Sequence, residues 1–219
     1  MNKEERQLKL REKFDSMTAF DRAYRISLNN IGGIDEAGRG PLAGPVVAAC
    51  VVLGENFDIV GIDDSKKLSP KKREELFEKI TSKALAYGIG IEDNNVIDEI
   101  NILQATMRAM KTAALEANRS LEEKVGKDGI KLLLLDAVSL KDIDIRQESV
   151  IKGDAKSLSI AAASIIAKVT RDRIMTEYHE EYPYYGFDSN KGYGTKAHYE
   201  GINNHGITPI HRKTFLKNL

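Results

Sequence analysis

Two apolar runs, residues 31–36 and 45–53, each have the length of a strand, and only residues 37–44 join them. A parallel pair needs a crossover of about a dozen residues or more, so these two runs must pair antiparallel. Further on, Leu132 to Leu135 is wholly apolar and ends in Asp136, the pattern of a central strand that delivers an acid at its carboxyl end. Residues 86–91 read as another strand, and a short one is expected near 148–152. Helical patterns alternate with these. Ser69 as N-cap and Pro70 at the first helical position open a helix with Leu76 and Ile80 inward and Glu75 paired to Lys79 outside. Leu103, Met107, Met110 and Ala114 mark the inner face of a helix over 100–119, and a polar loop follows at 124–129. Ser157 to Ile174 reads as a buried helix whose Ala161, Ala162, Ala163 and Ala167 let it lie close on a sheet. The alternation, without repeats or a long linker, predicts one α/β unit.

The ends differ from the middle. Residues 1–28 mix Leu8, Leu10, Phe14, Met17, Phe20 and Tyr24 with dense charge, which predicts a helical arm laying one thin face on the body. The segment from Tyr178 onward is aromatic, Gly-rich and basic and reads as a small helical or irregular lobe. A chain of 219 residues, 42% hydrophobic and 30% charged, suffices for one full core. Its single cysteine, Cys50, sits inside an apolar run and reads as a core hydrophobe, which fits a reducing, cytoplasmic setting. No apolar stretch is long enough for a bilayer, and the charged N-terminus lacks the apolar core of a signal peptide. With 33 basic and 33 acidic residues the chain has no net field to draw in a polyanion. Nucleic acid would have to meet local patches: Lys66 and Lys67 with Lys71, Lys72 and Arg73, or Lys191, Lys196, Arg212, Lys213 and Lys217.

The chemistry-bearing candidates are acids. Asp35, Asp136 and Asp154 each follow a buried-looking segment, which brings their charges toward one end of the sheet. Carboxylates crowded there repel, and a divalent cation relieves the repulsion. Glu36 can join Asp35 only if the strand ends there, because consecutive strand residues face opposite sides. Taken singly, each acid has an ordinary reading, Asp154 as the N-cap of the long helix for one. The histidines are scattered and the cysteine is in the core, so zinc spacing is absent and an all-oxygen site for magnesium or manganese remains. Neither a Gly-x-Ser-x-Gly elbow nor a nucleophilic cysteine is present. Two hard cations could activate a water and stabilise the leaving oxygen of a phosphodiester. Gly38, Gly40 and Gly44 superficially suggest a dinucleotide fingerprint, but the last spacing is too long and a strand follows where a helix should begin.

Five motifs in order carry a resemblance: Ile34 to Val46 (IDEAGRGPLAGPV), Asp64 to Leu68 (DSKKL), Leu135-Asp136, Lys152 to Ser157 (KGDAKS) and Lys191 to Thr195 (KGYGT). Together they resemble type 2 ribonuclease H, bacterial ribonuclease HII. The resemblance implies the ribonuclease H-like fold, a mixed five-stranded sheet flanked by helices with a C-terminal helical extension. It divides the chain into a charged arm (1–28), a catalytic domain (29–180) and a C-terminal substrate-contacting extension of that domain (181–219). Asp35, Glu36, Asp136 and Asp154 match the family's catalytic, metal-holding acids, with Mn2+ or Mg2+ as cofactor. The implied activity is cleavage of RNA in RNA/DNA hybrids and incision 5′ of single ribonucleotides in duplex DNA, leaving 3′-hydroxyl and 5′-phosphate ends.

In such an enzyme the 2′-hydroxyl tells RNA from DNA. By the same resemblance Gly38, Arg39 and Gly40 line that hydroxyl, Tyr193 contacts it and stacks on the next sugar, and Lys66 meets phosphate. Arg39, Lys168, His211 and Arg212 are further phosphate candidates. The nearest enzymatic alternative is the type 3 enzyme, against which Tyr193 and the shortness of the N-terminal arm argue. A hybrid-binding protein without catalysis is a second alternative, opposed by the presence of all four acids. A monomer is the simplest reading.

Overall fold

The computed structural model describes residues 2–25, 30–126, 128–136 and 139–216. The end of the expected arm at 26–28, position 127 of the polar loop and Lys217 of the basic scatter lie outside them. The elements are α1 (Lys3–Arg25), β1 (Ile31–Ala37), β2 (Val46–Val52), α2 (Pro70–Lys83), β3 (Ala86–Glu92), α3 (Asn94–Ile100), α4 (Ile102–Val125), β4 (Leu132–Leu135), β5 (Arg146–Ser149), α5 (Gly153–Lys156), α6 (Leu158–Glu181), α7 (Phe187–Asn190) and α8 (Lys196–His205). Short 3-10 turns occupy Ser65–Lys67, Pro183–Tyr185 and Lys213–Phe215. Among the described residues no helix is long and apolar enough to cross a membrane.

The five strands form one sheet in the order β3-β2-β1-β4-β5. As the short connection requires, β1 and β2 are antiparallel, as are β2 and β3, whereas β4 and β5 continue parallel to β1. Every residue of β2 is buried because both faces are covered. Val47, Ala49 and Val51 pack with α6 and α2 on one side, and Val46, Ala48, Cys50 and Val52 pack with α4 on the other. That is the period-two alternation of a central strand.

Bare backbone sets the spacing of the layers. A Cβ at Gly33 would lie 2.2 Å from the Ser159 carbonyl carbon in α6, and one at Gly90 would lie 1.9 Å from the Ala109 oxygen in α4. Helix α6 can therefore rest directly on β1 only while position 33 lacks a side chain. Gly33→Ala is expected to lower stability by at least about 2 kcal/mol through overpacking, read from the urea midpoint. An unchanged midpoint would show that α6 is not held so closely.

The N-terminal arm does dock on the body. Phe14 and Met17 of α1 are buried, and so is Asp21. The Asp21 carboxylate accepts Ser157 Oγ at 2.6 Å and the Ser159 amide at 2.9 Å, while Ser157 Oγ accepts the Ile160 amide at 3.3 Å. These bonds satisfy amides at the N-terminus of α6 that would otherwise be orphaned. Burial raises the Asp21 pKa, against the lowering effect of those hydrogen bonds.

Several expectations need correction. The strand expected near 148–152 is Arg146–Ser149, a half-exposed edge strand without an apolar pattern. The helix expected over 100–119 is broken at Asn101, whose φ of 69° separates α3 from α4 and whose side chain caps α4 through the Leu103 and Gln104 amides. Leu103 lies outside, 44% exposed, whereas Met110 and Ala114 are fully buried. Glu75 pairs with Lys72, at 3.3 Å, in place of Lys79. The ordinary alternative for Asp154, N-cap of the long helix, does not hold: the residue lies in α5, one turn earlier, and Ser157 is the N-cap.

Candidate active site

Register brings the first two acids together. The last paired rung between β1 and β4 is Ile34 opposite Leu135, so Asp35 and Asp136 are the next residues along two parallel neighbours. Strand β1 continues through Glu36 to Ala37 paired only with β2, which leaves its other edge open where β4 has stopped. Contrary to the condition set for Glu36, the strand does not end at Asp35, since β1 stays paired with β2 through Ala37; both acids nevertheless line the cleft that opens beyond the end of β4. Asp154 joins from α5, and the Gly153 amide donates to Asp136 Oδ1 at 3.1 Å. All four acids line one open cleft of about 650 Å³ at the carboxyl ends of parallel strands, where α/β sheets bind ligands.

The electrostatics are those of crowded anions. Asp35 is pushed well above the usual carboxylate range by burial and by the charges of Glu36, Asp136 and Asp154. Glu36 is raised by burial, with Arg39 opposing at 3.3 Å. Burial and the charges of Asp64 and Asp136 raise Asp154, and Lys66 and Lys67 offset part of this. Among the described residues, Arg39–Glu36 is the one ion pair made by the four acids. No three metal-ligating side chains among them are gathered tightly enough to enclose an ion. The set is an open row of hard oxygen donors, which fits a divalent cation that keeps some of its water.

Beside the acids runs a loop whose peptide planes are held by two buried arginines. Gly38 has φ 97°, and a Cβ there would meet Arg171 Nε at 2.0 Å. Arg212 donates to the carbonyls of Gly44 (3.0 Å), Arg39 (3.0 Å), Gly38 (2.6 Å) and Pro45 (3.2 Å). Arg171 donates to Pro45 (2.8 Å), Lys191 (2.9 Å) and Ala43 (3.2 Å). A carbonyl shares its peptide plane with the next amide, so anchoring the Gly38 and Arg39 carbonyls sets the N–H directions of Arg39 and Gly40 as well. Burial lowers both guanidinium groups, Arg171 to about 10 and Arg212 to about 9.

Tyr193 faces this loop. Its ring Cε1 lies 3.5 Å from where a Gly40 Cβ would be, and the side chain is 48% exposed. The left-handed pair Lys191 and Gly192 turns the chain there, and the Gly192 carbonyl accepts the Leu42 amide at 2.8 Å. Lys66 stands on the 3-10 turn after Asp64, whose carboxylate accepts its amide at 3.0 Å.

The cleft thus gathers Asp35, Glu36, Asp136, Asp154, Gly38, Arg39, Gly40, Lys66 and Tyr193. His211 and Arg212 are another matter. Both are completely buried, so neither can meet a phosphate, and their work is internal. Lys168 lines the cleft, but its ammonium is bonded to Asp172 at 2.7 Å. Arg171 and His198 carried no signal in the sequence, because an arginine or histidine amid ordinary helix residues gives no sign that it turns inward.

The chain matches the family described as ribonuclease HII over residues 32–218. It is 55% identical over 219 residues to a ribonuclease HII of Clostridioides difficile, covering 100% of this chain and 80% of that protein. A ribonuclease HII of Caldanaerobacter subterraneus is 55% identical over 196 residues, 90% of this chain and 78% of that one. Among solved structures, the ribonuclease H2 of Pyrococcus horikoshii OT3 superposes with a TM-score of 0.65 at 30% identity, covering 84% of this chain and 93% of that one. A Bst-RNase HIII in complex with Mn2+ shares the fold, with a TM-score of 0.58 at 20% identity over 84% of this chain and 65% of that one. The chain belongs to the ribonuclease HII family.

Proposed function

We propose that the chain hydrolyses the RNA strand of RNA/DNA hybrids and incises duplex DNA on the 5′ side of single embedded ribonucleotides, leaving 3′-hydroxyl and 5′-phosphate ends. The observation that carries this reading is the meeting, in one cleft, of four carboxylates at strand ends with an arginine-anchored glycine loop and a half-exposed tyrosine. Asp35, Glu36, Asp136 and Asp154 would hold Mn2+ or Mg2+, in one or two positions. Such ions, when bound, polarise the phosphoryl oxygens and lower the pKa of an attacking water.

The chain's own residues do the rest. Asp35 and Asp136, fixed by strand register, supply donors that need little reordering, while the Gly153 amide orients one Asp136 oxygen and leaves the other for a ligand. The Gly38-Arg39-Gly40 backbone reads the 2′-hydroxyl: donors held rigid in advance reject a sugar lacking the group, because they would be left buried and unpaired. Tyr193 closes the opposite side of the sugar, and Lys66 pairs with a phosphate.

The test is to map the cut in a DNA duplex with one ribonucleotide, with EDTA and then with added Mn2+ or Mg2+. One incision 5′ of the ribonucleotide, only with the ion, is expected. Cleavage of long hybrids alone would turn the reading toward the type 3 enzyme, and cleavage undiminished in EDTA would overturn the metal assignment.

A further inference from the structure

Behind Tyr193 lies a buried pair of imidazoles that the reaction does not touch. His198 and His211 are both fully buried, and their Nε2 atoms are 3.0 Å apart. Two nitrogens at that distance need one proton between them, and the surroundings decide which ring carries it. The backbone amide of Thr208 can only donate, and it lies 2.8 Å from His211 Nδ1, so that nitrogen is bare. The proton of a neutral His211 is then on Nε2, pointing at His198. His198 Nε2 must accept it, which leaves the His198 proton on Nδ1, 3.0 Å from the Tyr193 carbonyl. Every link is thereby assigned, from the Thr208 amide through two rings to the Tyr193 backbone.

We propose that His198 and His211 are positioning residues for ribose recognition: a proton-ordered pair that holds the Tyr193 carbonyl and so fixes its ring against Gly40. This rests on the reading of Tyr193 as the sugar contact. Tyr185 and Phe187 pack edge-to-face on the rings, with centroids 5.3 and 5.1 Å from His211 and His198 respectively. A third proton would set two N–H groups face to face. Consistently, burial lowers both imidazoles, and His211, with the His198 charge adding to the effect, falls to about 4. The order therefore persists at neutral pH. Ala43 pairs with His211 across an isolated bridge, flanked by the Gly44 amide on the Ile210 carbonyl and the Arg212 amide on the Leu42 carbonyl, so the segment that follows the glycine loop also holds the histidine pair. His211 and Arg212, adjacent in sequence, thus serve the two halves of one recognition device.

A double-mutant cycle on the full chain tests this, with single-turnover cleavage of a one-ribonucleotide duplex as readout. Gln at position 198 puts its amide toward His211 and leaves the Tyr193 carbonyl without a donor, whereas Asn keeps a donor near the Nδ1 position. His198→Gln is expected to lower kcat/KM about tenfold, His198→Asn to recover most of that, and His198→Gln to cost less than about twofold once Tyr193→Ala is present. An equal cost in both backgrounds, or no difference between Gln and Asn, overturns the inference. If Tyr193→Ala alone changes nothing, it is the assignment of Tyr193 that fails. Should the Gln variant not fold, nitrogen NMR of the unaltered protein still decides: protons on His198 Nδ1 and His211 Nε2 from pH 6 to 8 are expected, and the reverse tautomers refute the order.

Discussion

An Asp35→Asn variant is expected to lose about 10³-fold or more of its hydrolytic rate and yet to unfold at a higher temperature than the parent in metal-free buffer. The loss follows from removing a donor that strand register places at the centre of the acidic row, since Lewis-acid stabilisation of a phosphoryl transition state supplies several kcal/mol. The gain follows from the same crowding. Asp35 is driven well above the usual carboxylate range by burial and three neighbouring acids, so its charged form is an unrelieved strain on the fold at neutral pH. An isosteric amide has no such charge. A gain of about 1 kcal/mol, or roughly 2–4 °C in a chain of this size, is the expected scale. Added Mn2+ should raise the parent's melting temperature through ligand linkage and raise the variant's much less. Thermal denaturation with EDTA and with Mn2+, beside single-turnover kinetics, checks all three statements. A variant that keeps its activity, or that melts lower in EDTA, would show that Asp35 is a structural acid.

Arg212→Met is expected to destabilise the protein by about 3–5 kcal/mol, one of the largest effects open to a single substitution here. The guanidinium donates to four main-chain carbonyls, of Gly38, Arg39, Gly44 and Pro45, and no part of it reaches solvent. Methionine fills the space but takes the arginine donor from the Gly38, Arg39 and Gly44 oxygens, while Pro45 keeps its bond from Arg171. Lysine should not rescue, because three donors on one point cannot span carbonyls that a planar fork reaches from several sides. Urea denaturation measures the loss. A loss under about 1 kcal/mol together with reduced substrate binding would restore Arg212 to the phosphate-contacting role that its place in a basic motif suggests. The expectation here is the reverse, stability falling first and activity with it.

Much of the fold was legible in the chain. The short link between residues 36 and 45 dictated an antiparallel pair, and the run from Leu132 to Leu135 announced a strand covered on both faces, which it is. Ser69 and Pro70 open α2 as read. Legibility failed where local pattern carried no apolar signal, as in Arg146–Ser149, which is a strand only because β4 offers it an edge. At Asp154 the ordinary alternative, N-cap of the long helix, falls away only in the structure, because a one-turn helix interposes before Ser157.

Sequence alone supplied the four acids and the glycines as candidates, because side-chain chemistry and the absence of a Cβ are properties of a residue wherever it lies. What the buried cations and imidazoles do was decided only by the tertiary structure. In the chain, His211 and Arg212 look like basic residues free to meet phosphate, and Arg171 and His198 carry no signal at all. Their burial turns every donor inward onto carbonyls and ring nitrogens supplied by segments far away in sequence. A hydrogen bond depends on where its partner stands, and that position exists only once the chain has folded.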